Sequence, residues 1–181
     1  MARRYKEVPR YEEMQPYLEQ ATNKEWKHIA KALYYTGARI GELMQIKKQH
    51  VWEEKDFVKV KLLTEKNKYD TERIIPIPKK VEPEGAQLYL DLIANKEDGA
   101  LLFPYSPEIK PSSYLRVMRR DFNEEYSDKA PHYFRHCRAT HMCTRFNYDT
   151  HQLVKYMGWT DERPAKHYVK LKTEDLEKKM I

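Results

Sequence analysis

At roughly 100 to 200 residues per domain, the 181 residues of this chain suffice for one domain with an ordinary core and exclude an array of modules. Lys and Arg number 34 against 28 Asp and Glu, a net charge of +6 that excludes an acidic disordered chain and points toward a polyanionic partner. With only Cys137 and Cys143, no apolar run near the roughly 18 residues of a membrane span, and no apolar stretch behind the arginines of MARRYKEVPRYEE, we expect a reduced, intracellular chain without membrane contact.

From Tyr11 to Ala21 the residues Met14, Tyr17, Leu18 and Ala21 recur at helical spacing, which predicts a first helix. Asn23 stands where an N-cap would open a second helix bearing Trp26, Ile29, Ala30 and Leu33. Gly37 separates it from a short helix over about Arg39 to Ile46, with Ile40, Leu43, Met44 and Ile46 as its apolar residues. The period then changes. Apolar and basic residues alternate from Phe57 to Leu62, and Arg73-Ile74-Ile75-Pro76-Ile77 resumes an apolar run, which predicts a hairpin whose turn holds Glu65 to Glu72 and a third strand near His50 to Trp52. Helical spacing returns from Pro83, with Leu88, Leu92 and Ile93, and a Pro-containing connection follows at 104–111. A helix is predicted from near Ser112 with Leu115, Val117, Met118 and Phe122, another after Pro131 to Tyr148, and a last one over Thr150 to Met157 closed by Gly158 as C-cap. The predicted fold class is mainly α with a small antiparallel β-sheet.

Three segments stand apart from core patterning. In Tyr35-Thr36-Gly37-Ala38-Arg39-Ile40-Gly41-Glu42-Leu43 an arginine lies at a tight helix-to-helix junction, where its ordinary reading is a surface residue or an ion-pair partner of Glu42. In His132-Tyr133-Phe134-Arg135-His136, followed by Arg138, Thr140 and His141, a spacing of three puts His132 and Arg135 on one helical face. A guanidinium fork beside an imidazole suits a phosphate; the ordinary alternative is a basic helix with histidines at its boundary. His132, His136, Cys137, His141 and Cys143 cluster as zinc ligands could, but neither a CxxC nor an HExxH pair is present. In LVKYMGWTDERPAKHY, Gly158-Trp159 precedes Tyr168, and Thr160 to Pro164 can open a short helix that presents the tyrosine, which on composition alone would be a packing residue.

In this order and spacing the three segments resemble the tyrosine recombinase, or phage-type integrase, family over about residues 9–170. Its TGxRxxEL box is matched by Thr36 to Leu43, its HxxRH box by His132, Arg135 and His136 with Thr140 and His141 after it, and its terminal Gly-His/Trp with a downstream tyrosine by Gly158, Trp159 and Tyr168. The family also carries a lysine in a β-hairpin turn; Lys68, five residues before Arg73 in a Lys-x4-Arg-x2-Pro pattern, is the first choice and Lys66 the second. Trp159 stands where His is commoner, and its indole N–H can contact a phosphate but not shuttle a proton. Arg138 stands where an apolar residue is usual and is read as an added DNA contact.

The resemblance implies a site-specific recombinase that cleaves and rejoins DNA through a 3′-phosphotyrosyl link, with Tyr168 as nucleophile, Arg39 and Arg135 on the phosphate oxygens, His132 as proton acceptor or phosphate donor, Lys68 as acid for the leaving oxygen, and Trp159 as a contact. Glu42 and His136 are expected to orient neighbours. No cofactor or metal is implied. The implied partner is double-stranded DNA, with four protomers on DNA and a monomer when free; the apolar Leu171, Leu176 and Met180 are candidates for packing on a neighbour. Residues 1–181 would be the catalytic domain alone, without the family's N-terminal core-binding domain. A recombinase-derived DNA-binding protein without catalysis, and a topoisomerase-like relaxing enzyme, are the competing classes.

Overall fold

The computed structural model describes residues 8–64, 72–104, 116, 120–122 and 130–169. A single 3₁₀ turn, Tyr11–Glu13, leads into α1 (Met14–Leu18), followed by α2 (Lys24–Thr36) and α3 (Ile40–Met44). The sheet comes next, with β1 (Val51–Glu54), β2 (Phe57–Leu63) and β3 (Glu72–Pro78). Then come α4 (Pro83–Ile93), α5 (Ala130–Thr144) and α6 (Thr150–Met157), with a further helical run at 163–169.

Asn23 opens α2 as its spacing predicts: Oδ1 accepts from the backbone N–H groups of Glu25 and Trp26, at 2.9 and 3.2 Å. A cap of this kind contributes about 1 kcal/mol. The first helix ends at Leu18 rather than Ala21. There the chain turns, the backbone N–H of Thr22 donates to the Asp121 carboxylate at 3.1 Å, and Ala21 is buried from a loop instead of a helix. Helix α5 also stops short of the predicted Tyr148, because Asn147 takes the left-handed conformation at φ 58° and reverses the chain. Asp149 then caps α6 by accepting the Gln152 N–H at 2.8 Å.

The three strands are antiparallel in the order β1-β2-β3. In their register Val51 faces Val60, Val60 faces Ile75, Val58 faces Ile77, and Leu62 faces Arg73. Val58, Val60, Leu62, Ile75 and Ile77 are buried, while Lys59 and Lys61 take the alternate, outer positions. One face of the sheet is therefore core, and Arg73 occupies a core-facing position of β3. Helix α5 packs along α2, and α4 lies between α2 and the sheet. This arrangement brings the end of α2, the start of α3, β3, the middle of α5 and the end of α6 to one place.

The approach of α4 to α2 needs a residue without a side chain: a Cβ on Gly85 would lie 2.5 Å from the Tyr35 ring. Of the predicted helix from Ser112, the described residues 116 and 120–122 are helical, and Phe122 is buried with its ring edge-on to Phe134. The hairpin turn with Lys66 and Lys68, and the C-terminal residues Leu171, Leu176 and Met180, lie outside the described residues.

Candidate active site

The first box folds around two local requirements. Gly37 closes α2 in the left-handed conformation, φ 63°, and a Cβ there would stand 3.2 Å from Met157 Sδ. Arg39 then turns extended and becomes the N-cap of α3 instead of its first residue. Glu42, one turn later, reaches back: its Oε2 accepts the backbone N–H of Arg39 at 2.8 Å and its Oε1 accepts Arg39 Nη1 at 3.0 Å.

The same carboxylate takes a second, two-pronged contact. Arg73 Nη1 donates to Glu42 Oε1 at 2.8 Å and Nη2 to Oε2 at 2.9 Å, while Nη1 also reaches Thr64 Oγ1 and Nε donates to the Tyr156 carbonyl at 3.0 Å. Each Glu42 oxygen thus accepts two donors, which fills a carboxylate's usual capacity. Burial pushes the Glu42 carboxyl up. The hydrogen bonds and charge of Arg73, the Arg39 N–H and the nearby Arg135 outweigh that and hold it below the ordinary carboxylate range.

Arg135 sits in the middle of α5 and is buried. Its two terminal nitrogens donate to the carbonyls of Gly37 and Met157, the residues that end α2 and α6. Helix C-termini carry partial negative charge, so two of them steady one guanidinium. Burial first, then repulsion from Arg39 and Arg73, bring its pKa down to about 9, which leaves it protonated near neutrality. His132, one turn earlier on α5, is exposed.

The third box completes the cluster. Gly158 closes α6 at φ 64°, and a Cβ there would fall 2.8 Å from Arg73 Nη1. Trp159 follows, and the Asp161 carboxylate accepts the Arg163 N–H at 2.8 Å where the run 163–169 begins. That run carries Tyr168, whose ring stacks on Trp159 with centroids 5.7 Å apart and planes 14° apart. The Arg135 guanidinium carbon lies 5.8 Å from the Trp159 ring, so the indole touches both the cation and the phenol. The Tyr168 hydroxyl shares a 2.8 Å hydrogen bond with His136 Nδ1.

The structure therefore brings Arg39, Arg135, Trp159 and Tyr168 together, and adds His136 and Arg73. The imidazole bonded to the phenol is that of His136, one helical turn beyond His132. The signal for it was present, since residues four apart share a helical face. Sequence reasoning missed Arg73: the alternation that turns Arg73, Ile75 and Ile77 inward places it on the core face of β3 but does not name its partner. Lys68 and Lys66 lie outside the described residues.

Arg138 needs correcting as a DNA contact. It is 0% exposed, it forms an ion pair with Glu82 whose Nη2 to Oε2 distance is 2.9 Å, and its Nε donates to the Tyr156 hydroxyl at 2.9 Å. The aromatic rings of Tyr34, Phe146 and Tyr156 surround its guanidinium. Its position on α5 turns it inward, toward α4 and α6, where charge is tolerated only because Glu82 answers it.

His141 likewise belongs to the core. Nε2 lies 2.8 Å from the Pro9 carbonyl, which can only accept, so Nε2 carries the proton and Nδ1 accepts the Tyr34 hydroxyl at 2.8 Å. Among the described residues no group of three or more His, Cys, Asp or Glu is placed to hold a metal ion.

Solved structures of tyrosine recombinases share this arrangement of helices and sheet. The XerH site-specific recombinase bound to a palindromic difH substrate in a post-cleavage complex superposes with a TM-score of 0.66 at 18% identity, covering 94% of this chain and 51% of that one. The XerA recombinase gives 0.64 at 22% identity, covering 90% and 60%, and the Tn1549 transposon integrase in complex with circular intermediate DNA gives 0.62 at 18%, covering 91% and 62%. This chain spans about half to three fifths of those structures. No curated protein sequence matches it. The fold class is thus that of a tyrosine recombinase catalytic domain. The chain belongs to the phage integrase family, whose model matches residues 7–175. Among the described residues no helix is long and apolar enough to cross a membrane.

Proposed function

We propose that this chain cleaves and rejoins double-stranded DNA as the catalytic part of a site-specific recombinase. The observation that carries the reading is the convergence of three separate boxes on one spot: Arg39 tied to Glu42, Arg135 against the Trp159 ring, and Tyr168 stacked on that indole with its hydroxyl on His136. Phosphoryl transfer needs a nucleophile, donors for the charge that gathers on the non-bridging oxygens, and an acid for the departing oxygen.

In this reading the Tyr168 oxygen forms a bond to the scissile phosphorus as the bond from phosphorus to the 5′ oxygen breaks. A 3′-phosphotyrosyl link and a 5′-hydroxyl result. A tyrosine hydroxyl has a pKa of about 10, so its proton needs a receiver. His136 is at hydrogen-bond distance and accepts that proton when Nδ1 is unprotonated. Arg39 and Arg135 take the phosphate oxygens, each contributing about 3 to 4 kcal/mol to the transition state. Trp159 supplies an N–H donor and a wall for the phenol, His132 on the open end of α5 supplies a further phosphate donor, and Lys68 gives its proton to the leaving oxygen. The reverse attack by a 5′-hydroxyl rejoins the strand. The DNA-bound state of the XerH and Tn1549 structures supports duplex DNA as the partner, and assembly of four protomers on DNA follows from the family resemblance.

The test is a suicide duplex nicked beside the scissile phosphate, incubated with the protein in EDTA and resolved on a denaturing gel. Wild-type protein should become linked to DNA, and Tyr168→Phe should abolish the adduct while retaining DNA affinity within a few fold. DNA binding without any wild-type adduct would instead make the chain a DNA-binding protein without catalysis. Persistence of the adduct in Tyr168→Phe would move the nucleophile to another residue.

A further inference from the structure

The Arg73 side chain is buried against the candidate active site yet belongs to none of the three boxes, and its environment is unlike that of a residue which merely staples a sheet to a helix. It meets Glu42 through both terminal nitrogens, Thr64 through one of them, and the Tyr156 carbonyl through Nε. Glu42 is itself 4% exposed and is shared between Arg73 and Arg39. Three guanidinium groups, those of Arg39, Arg73 and Arg135, therefore surround one carboxylate and leave the site with two net positive charges.

Removing Arg73 would change more than packing. The carboxylate would keep Arg39 as its one close cation among the described contacts, and a buried carboxylate draws a lone guanidinium into a two-pronged pair. Net charge at the site would fall from two to one, and the arginine lost to substrate would be Arg39. Lysine cannot substitute fully, because a single ammonium lacks the planar fork that bonds both Glu42 oxygens while reaching Thr64 and Tyr156. Gly158 fits the same picture, since any side chain there would meet Arg73 Nη1 at 2.8 Å.

We propose that Arg73 is a positioning residue for DNA strand cleavage: by neutralising Glu42 it leaves the guanidinium of Arg39 oriented by its N-cap contacts and available to the scissile phosphate. The inference rests on the recombinase reading above. It also makes a prediction that a purely structural arginine would not. The Arg73→Gln/Glu42→Gln double variant loses one cation and one anion, so it returns the site to two net positive charges and leaves neither partner buried alone. It should therefore recover activity relative to Arg73→Gln, not lose more.

The experiment measures single-turnover cleavage of a suicide duplex carrying either the native phosphodiester or an uncharged methylphosphonate at the scissile position. The proteins compared are wild type, Arg39→Ala, Arg73→Lys, Arg73→Gln and the double variant, with folding checked by thermal unfolding and DNA affinity measured at fixed salt. On the native substrate Arg73→Gln should cut roughly a hundredfold slower, the scale of a catalytic group misplaced by an ångström. DNA affinity should hold within a few fold. On the methylphosphonate, where one negative charge has gone, the deficit should shrink for Arg73→Gln as it does for Arg39→Ala, and the double variant should regain at least tenfold on the native substrate. Equal deficits on both substrates for a folded Arg73→Gln, a slower double variant, or undiminished cleavage would each overturn the proposal. If Arg73→Gln does not fold, Arg73→Lys carries the same comparison: a deficit that narrows on the methylphosphonate supports the proposal, and an equal one overturns it. A wild-type protein that links to neither substrate refutes the recombinase reading itself, and this inference with it.

Discussion

Arg138 separates a buried structural cation from a DNA contact, and the two readings predict opposite measurements. The side chain is 0% exposed and paired with Glu82, which is itself 1% exposed, and no buried side-chain polar atom of the described residues lacks a partner. Glu82→Gln removes the anion and leaves the guanidinium among Tyr34, Phe146 and Tyr156. Breaking such a pair from one side costs about 3 to 5 kcal/mol, because the remaining charge is buried without compensation. At roughly 2 to 4 °C per kcal/mol for a chain of this size, the midpoint of thermal unfolding should fall by about 6 to 20 °C. Glu82→Gln/Arg138→Met removes both charges and should cost less than Glu82→Gln alone. DNA binding by the folded double variant, measured across a salt series, should keep the wild-type slope, whereas loss of a phosphate contact would flatten it by about one. A Glu82→Gln midpoint within 2 °C of wild type, or a flattened slope, would refute the burial argument.

His141 ties the chain at Pro9 to α5, and burial first, with the charge of Arg138 adding to it, lowers its pKa to about 4 against the Pro9 hydrogen bond. A base with a depressed folded pKa is neutral in the native state, so its contribution is complete above the unfolded value of about 6.5 and is lost as pH falls from there toward 4. Denaturant titrations should show stability declining over that window by on the order of 3 kcal/mol, and His141→Gln should flatten the decline; an unchanged slope would place the titrating group elsewhere. Gly158→Ala should lower both stability and cleavage, since it sets a side chain at φ 64° and pushes it against Arg73. Measured by thermal unfolding and single-turnover cleavage, a variant indistinguishable from wild type in both would contradict the close approach of Gly158 to Arg73.

Much of the architecture was readable because it depends on local chemistry. Asn23 as a cap, Gly37 as the junction between two helices, Gly158 as a C-cap, and the alternation of Val58, Val60 and Leu62 each follow from what one residue or one period allows, and the structure places them so. The helix ends at Leu18 and Thr144 were missed. They are decided by distant or conformational events, the Thr22 bond to Asp121 and the turn at Asn147, that periodicity does not report.

The same division holds for the site. The order and spacing of the three boxes, with Arg39, Arg135, Trp159 and Tyr168 in them, carried the resemblance to the family before any contact was known, because residue type and spacing are legible along one chain, and the family model over residues 7–175 agrees with it. Which imidazole meets the Tyr168 hydroxyl was not determined by sequence: His132 and His136 share a helical face, and only the path of the chain from Gly158 to Tyr168 selects His136. Nor could spacing tell that Arg138 turns inward to Glu82 while Arg135, three residues earlier, turns to the ends of α2 and α6. Arg73 shows the limit most clearly. In the sequence it is one basic residue after a lysine-rich turn. Its partner Glu42 lies on another element, 31 positions away, and only the packing of β3 against α3 and α6 makes the two a buried pair. Local propensity and motif spacing settle which residues are available; the low dielectric and geometry of the packed core settle which of them face one another.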